Sequence, residues 1–211
     1  MKPEYGPTLG RLLAPRWHAA SRLTRWVLVL VCVGLLAALL AAGLTLSNST
    51  FSRGGSVPFS FSYRDLYRTA ADPGGYVKVQ RRHSDGALAD SFAVAPLRLA
   101  PYSGELTGEL PLYASSYIRE LSRRHRGFVL GGEGKSTVNG VAAYNVYFTA
   151  LVEGHRLFGR DVLLLPERAG AREGVVISML TTRTNGAKLV SPTEVAAKGV
   201  LALPLKSFTI G

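Results

Sequence analysis

Apolar positions along this chain form one uninterrupted run followed by a series of short alternating ones. The run covers residues 26–46, WVLVLVCVGLLAALLAAGLTL, 21 residues without an ionisable side chain. As a helix rising about 1.5 Å per residue it covers roughly 30 Å, the thickness of a bilayer's hydrocarbon core. The pattern therefore predicts one transmembrane helix at 26–46, a basic tail at 1–25, a Ser- and Gly-rich linker at 47–57, and a folded domain at 58–211.

Beyond the run the period switches between two and 3.6. Phe59 and Phe61 alternate with Ser60 and Ser62, which predicts an edge strand ahead of a polar segment at 64–72 and a Pro73-Gly74-Gly75 turn. Residues 76–82 and 87–95 read as a hairpin around Ser84-Asp85-Gly86, because an Asp-Gly turn tolerates positive φ. After a Pro-containing loop at 96–108, Leu110, Tyr113, Tyr117, Ile118 and Leu121 recur at helical spacing and predict a helix over 109–124. Short strands follow at 128–131, 143–151 and 156–165, with turns at Asn139-Gly140 and Glu153-Gly154. After a charged loop running to Gly174, the run at 175–180, VVISML, is apolar on both faces and belongs in mid-sheet. Ser191-Pro192-Thr193-Glu194 carries the signals of a helix start and predicts a second helix running to about residue 203, before a last segment at 206–210. The class is α+β: an antiparallel sheet with two packed helices, preceded by one transmembrane helix.

Charge orients the chain. Lys2, Arg11, Arg16, Arg22 and Arg25 precede the run against one acid, Glu4, whereas Arg53 is the one charge in the first 17 residues after it. Basic flanks stay in the cytoplasm, so the N-terminus is expected inside and the domain outside, in a cell membrane crossed once. A cleaved signal sequence is the competing reading, with small residues at Ala41-Ala42-Gly43, but its apolar region is normally about 7–15 residues long. Within the span Gly34, Ala38 and Ala42 share a helical face, as small residues at helix contacts do, although Ala and Gly are abundant there. Beyond the run the balance of charged residues is basic, net +7. That suits an anionic neighbour such as headgroups or an acidic envelope polymer; an extracytoplasmic site gives no reason to expect nucleic acid. The Arg, Ala and Gly content fits GC-rich bacterial coding. Cys32, the one cysteine, lies inside the run, which leaves the domain without disulfides or thiol chemistry.

Candidate chemistry is sparse. Gly131-Gly132-Glu133-Gly134-Lys135-Ser136 ends like a phosphate-binding loop, but Val129 stands where that loop needs its first Gly, and a turn follows where it needs a helix. No nucleophile elbow or zinc motif is present. His83, His125 and His155 are scattered over a hairpin, a helix end and a hairpin tip, which fits solvated residues better than metal ligands. Asp161 points to the sheet face opposite Arg160 and is expected to pair with a neighbouring Arg; with His155 it forms the alternative reading, an envelope hydrolase. The candidate binding residues are two basic clusters, Arg81 and Arg82 at the first hairpin and Arg123, Arg124 and Arg126 at the helix end. Cations at a helix C-terminus also satisfy its dipole without any ligand. No cofactor is called for.

The order of hairpin, long helix, strands and C-terminal helix resembles the PsbP-like family. The residues most similar are 138–144 from Val138-Asn139-Gly140, 158–166 from Phe158-Gly159-Arg160-Asp161, the strand at 175–180, and the end near Leu205-Lys206-Ser207-Phe208, within a likeness over 58–210. The resemblance implies an antiparallel sheet with helices packed on it. It also implies a non-catalytic binding or assembly module, since the family includes an extrinsic photosynthetic subunit, a nuclear-transport accessory protein and bacterial envelope proteins. It carries over no metal or partner residues. A protein partner or an anionic envelope component is thus expected; a carrier of a small apolar ligand between helix and sheet is the further alternative.

Overall fold

In the computed structural model, residues 21–98, 106–166, 173–182 and 189–211 are described. The basic tail expected at 1–25, apart from its last residues, lies outside them. So do residues 99–105 of the Pro-containing loop and 167–172 of the charged loop before Gly174. Residues 21–46 and 47–211 separate into two compact units.

In the first unit, α1 (Arg22–Leu46) is helical over 25 residues. Among the described residues no helix is long and apolar enough to cross a membrane. The apolar run, however, extends through residues 39–46, whose side chains are outside the described set. Anchoring therefore rests on the sequence.

The second unit starts earlier than the polar composition at 47–57 implies. Residues 48–53 are not a linker but strand β1 (Asn48–Arg53), paired antiparallel with β2 (Phe59–Arg64) from Asn48↔Arg64 to Arg53↔Phe59. Phe51 supplies the cause: its ring packs on Phe59 and Phe61 with centroids 5.9 and 5.6 Å away, and Ser47 and Ser49 donate to Asp65. β2 is consequently the middle strand of a three-stranded sheet, not an edge, because β10 (Thr209–Ile210) from the chain's end pairs on its other side.

Seven further strands form an antiparallel sheet: β3 (Arg68–Ala70), β4 (Val77–Arg82), β5 (Leu88–Arg98), β6 (Arg126–Val138), β7 (Val141–Val152), β8 (His155–Leu164) and β9 (Glu173–Thr181). Their order is β3-β4-β5-β9-β8-β7-β6, which places the VVISML strand in mid-sheet. Residues 126–138 form one long strand in place of the short one expected, and the Gly131 to Ser136 segment lies within it. That conformation is incompatible with a phosphate loop, which wraps an anion with consecutive N–H groups instead of donating alternate ones to a neighbouring strand. The β6–β7 and β7–β8 turns take left-handed backbone at Asn139 and Gly140 (φ 49° and 90°) and at Glu153 and Gly154 (φ 51° and 82°).

Each face of the large sheet carries a buried cluster. One carries Val79, Phe92, Val94, Val162, Ile177 and Met179 and packs against Phe59 and Phe61 of the small sheet and Phe208 near the chain's end. The other carries Leu97, Val146, Phe148, Leu163 and Val176 and is covered by α2 (Leu106–Arg124) through Ala114, Tyr117 and Leu121. The expected C-terminal helix is absent. Ser191 does cap a helical turn, accepting from the Thr193 N–H, but the turn is a 3-10 segment, Pro192–Glu194. Ala196 and Gly199 then adopt positive φ (60° and 77°), and the five-residue α3 (Ala202–Lys206) follows. Val195 explains the stop: it is fully buried, and Arg160 donates from one guanidinium nitrogen to its carbonyl at 3.1 Å, tying the turn to β8. One packed helix and a clamped C-terminal segment thus stand where two helices were expected.

Candidate functional site

The second sheet face is only partly roofed by α2, and the residues of β5 decide what lies beyond the helix end. Phe92 and Val94 point into the first core; Ser91, Ala93 and Ala95 alternate with them and present almost no bulk to the other side. With Leu121, Phe148 and Leu180 as apolar walls, they leave a cleft of about 270 Å³ against the C-terminal turn of α2, into which Lys78, Asp72, Arg124, His125, Ser178 and Asp161 also project. Gly159 shapes the same region, since a Cβ there would stand 2.4 Å from ring atoms of Phe148.

Asp161 forms the floor. It is 1% exposed, and the Tyr117 hydroxyl donates to its Oδ2 at 2.6 Å. Ser178, directly opposite it on β9, supplies a second hydrogen bond. The expected Arg partner is replaced by this Tyr: Arg160 points the other way and bonds Asn145 and the Val195 carbonyl. Burial pushes the Asp161 carboxyl up to about 6, against the opposing pull of Tyr117, Ser178 and the nearby Arg124 charge. Burial and the adjacent carboxylate push the Tyr117 phenol up as well. Burial first, then Arg124, lowers His125, whose ring lies 5.6 Å from that of Phe148.

The predicted basic residues divide into two groups. Arg81 contacts the fully buried Asp90 through Nε at 2.7 Å and a terminal nitrogen at 2.6 Å, while Thr181 donates to the other carboxylate oxygen at 2.7 Å. Arg82 forms a two-pronged pair with Glu153, both contacts 3.0 Å, joining the β4–β5 hairpin to the β7–β8 tip. These two arginines are committed to carboxylates of the fold. Of Arg123, Arg124 and Arg126, Arg124 lines the cleft while meeting Glu120 at 2.6 Å; Arg123, at the end of α2, and Arg126, at the start of β6, are exposed.

The alternatives separate on the same geometry. His155 lies six residues from Asp161 along β8, about 20 Å in a strand, so the two form no joint site. Among the described residues no three metal-ligating side chains converge. The hollow is lined by Asp72, Lys78, Arg124 and Asp161 as well as by apolar side chains, unlike an apolar carrier's cavity. Sequence reasoning found Asp161's inward direction from strand parity. It missed Ser91, Ala93, Ala95 and Ser178, whose signal was small residues recurring on one strand face.

No family model matches the sequence, and no curated relative does. Solved structures match over most of the chain. LpqN, involved in cell envelope biogenesis of Mycobacterium tuberculosis, is 10% identical over 77% of this chain and 91% of its own, with a TM-score of 0.53. Cyanobacterial PsbP (CyanoP) from Synechocystis is 16% identical over 78% and 93%, TM-score 0.49. The Ran-binding protein Mog1p of Saccharomyces cerevisiae is 12% identical over 77% and 95%, TM-score 0.45. The domain shares the fold of LpqN, and that fold is PsbP-like, as the order of elements in the sequence implies.

Proposed function

We propose that the chain is a single-pass membrane protein of the cell envelope whose extracytoplasmic domain is a binding module, engaging an anionic component or an acidic partner at the rim of the α2 cleft. The observation that carries this reading is Arg124 in the lining of a built hollow, with the exposed Arg123 and Arg126 next to it along the chain, while Arg81 and Arg82 are paired with Asp90 and Glu153. The likeness in fold to a protein involved in cell envelope biogenesis supports the location by analogy. The orientation rests on the basic tail ahead of the apolar run.

Binding of the micelle-held full chain to anionic vesicles or to wall fractions tests it. Reversing Arg123, Arg124 and Arg126 to Glu should weaken association at least tenfold at low salt, since each cation near an anionic surface contributes on the order of 1 kcal/mol. The difference should shrink as salt screens it. Arg82→Gln serves as the internal control and should change binding little. Equal loss from Arg82→Gln, or none from the triple reversal, refutes the assignment.

A further inference from the structure

Among the described residues, β6 is the terminal strand of the large sheet, 13 residues long, bonded to β7 on one side and to no strand on the other. Such an edge is a template for another strand unless it is blunted. Its first half is blunted, with register irregularities between Arg126 and Val129 and between Leu130 and Gly132. From Gly132 to Val138 the pairing with β7 is continuous.

Parity decides which groups the regular half offers. The Asn139-Gly140 turn is a two-residue hairpin with positive φ at both positions, so its flanking pair, Val138↔Val141, exchanges hydrogen bonds across the hairpin. Counting back, Ser136, Gly134 and Gly132 also turn their N–H and C=O groups toward β7, whereas Thr137, Lys135 and Glu133 turn theirs outward. Those three are also exposed. Among the described residues, no backbone group outside the β6–β7 ladder bonds to these three, and the Glu133 carboxylate accepts from the Tyr144 hydroxyl of β7 at 3.3 Å.

We propose that this edge pairs with the same edge of a second copy, antiparallel about a two-fold axis through Gly134. Three features select that occupant and register. An axis at Gly134 sets Glu133 opposite Lys135 of the other copy, and Lys135 opposite its Glu133. A single Lys on an edge repels a like strand; Glu two residues before it on the same face makes the edge complementary to itself. Both facing pairs are also the outward-bonding ones, so the charge register and the hydrogen-bond register coincide. A one-residue slip would lose both. On the opposite face Gly132, Gly134 and Ser136 put no bulk at the junction, and a Cβ built at Gly132 or Gly134 meets nothing within 4 Å.

The test is the mass of the full chain in detergent micelles by light scattering, across a concentration series. The wild type is expected to dimerise. Glu133→Lys alone and Lys135→Glu alone each replace two attractive pairs by two repulsive ones and should raise the dissociation constant roughly tenfold or more. The double swap E133K/K135E should restore it to within about threefold, while circular dichroism shows all four chains folded. In a Cys32→Ala background, Gly134→Cys should give a disulfide-linked dimer on mild oxidation, because residues facing each other at a non-hydrogen-bonded position lie about 4.5 Å apart at Cα. Thr137→Cys should not. A wild type that stays monomeric overturns the proposal, and so does a dimer indifferent to the single reversals. A dimer that cross-links at Thr137 instead of Gly134 overturns the register.

Discussion

Asp161 shows how much one buried carboxyl contributes to behaviour. Its folded-state value, about 6, lies above the ordinary 3.8, the reverse of the usual salt-bridged carboxylate. Between those two values the folded chain holds more protons than the unfolded one, so its contribution to stability falls as pH rises from about 4 to about 6 and stays level above. The gap corresponds to on the order of 3 kcal/mol. Asp65, Glu153 and Glu194 are lowered and slope the other way, and Asp90 is raised by burial, so the total profile is a sum. The difference between wild type and Asp161→Asn isolates one residue. Asn still accepts from Tyr117 but does not titrate, so denaturation midpoints of the variant should lack this falling component between pH 4 and 6 and exceed the wild type's at pH 7. Parallel profiles for the two proteins would show that Asp161 does not titrate there. The same residue illustrates what sequence can supply: parity fixed its inward direction, but its partner Tyr117 is 44 residues away on another element, and nothing local names it.

At the scale of elements, the legible parts were those whose neighbours are close in sequence. Strands β4, β7 and β9 were read from alternation or from apolarity on both faces, and α2 from its stripe. The illegible parts depend on distant pairing. Ser, Asn and Gly at 47–57 have linker composition, and only Phe51 meeting Phe59 and Phe61, with β10 arriving from the chain's end, makes β1 and β2 a sheet. The cap at Ser191 was real, but a cap does not set a helix's length; a buried Val195 clamped by Arg160 and the positive φ of Ala196 and Gly199 end it. The Asn139 turn shows such distant coupling in one residue. Its side-chain nitrogen donates to the carbonyls of Lys206 at 3.0 Å and Phe208 at 2.5 Å, pinning the C-terminal segment to the β6–β7 turn. Asn139→Gly keeps the left-handed turn and loses those bonds, and should cost about 1–2 kcal/mol in chemical denaturation. Asn139→Ala loses the turn preference as well and should cost about 1 kcal/mol more. An Ala variant as stable as the Gly variant would mean the turn geometry contributes nothing.

For the whole molecule the decisive revision is the start of the domain at residue 47. With β1 beginning at Asn48, Ser47 is the one residue between the end of α1 and the first strand, where the composition implied a linker over 47–57. The competing fates of the apolar run then predict the same folded domain, because cleavage after Ala41-Ala42-Gly43 would release a chain beginning at Leu44 with β1 intact. Activity or stability of the domain cannot distinguish them, but the mature N-terminus can. If the run is an uncleaved anchor, the protein extracted from membranes should retain residues 1–25 by intact mass, resist alkaline carbonate extraction, and expose its tail to labelling only from the cytoplasmic side. A soluble chain beginning near Leu44 would overturn the anchor. Truncation adds an independent check on the revised boundary. A chain starting at Ser47 keeps Phe51 and the Asp65 contacts, whereas one starting at Pro58 leaves β2 without its β1 partner and Phe59 and Phe61 partly uncovered. The shorter chain should be less stable, since β2 loses a whole paired strand together with the partly buried Phe51 ring packed on Phe59 and Phe61. Equal stability of the two would return 47–57 to the role of a linker.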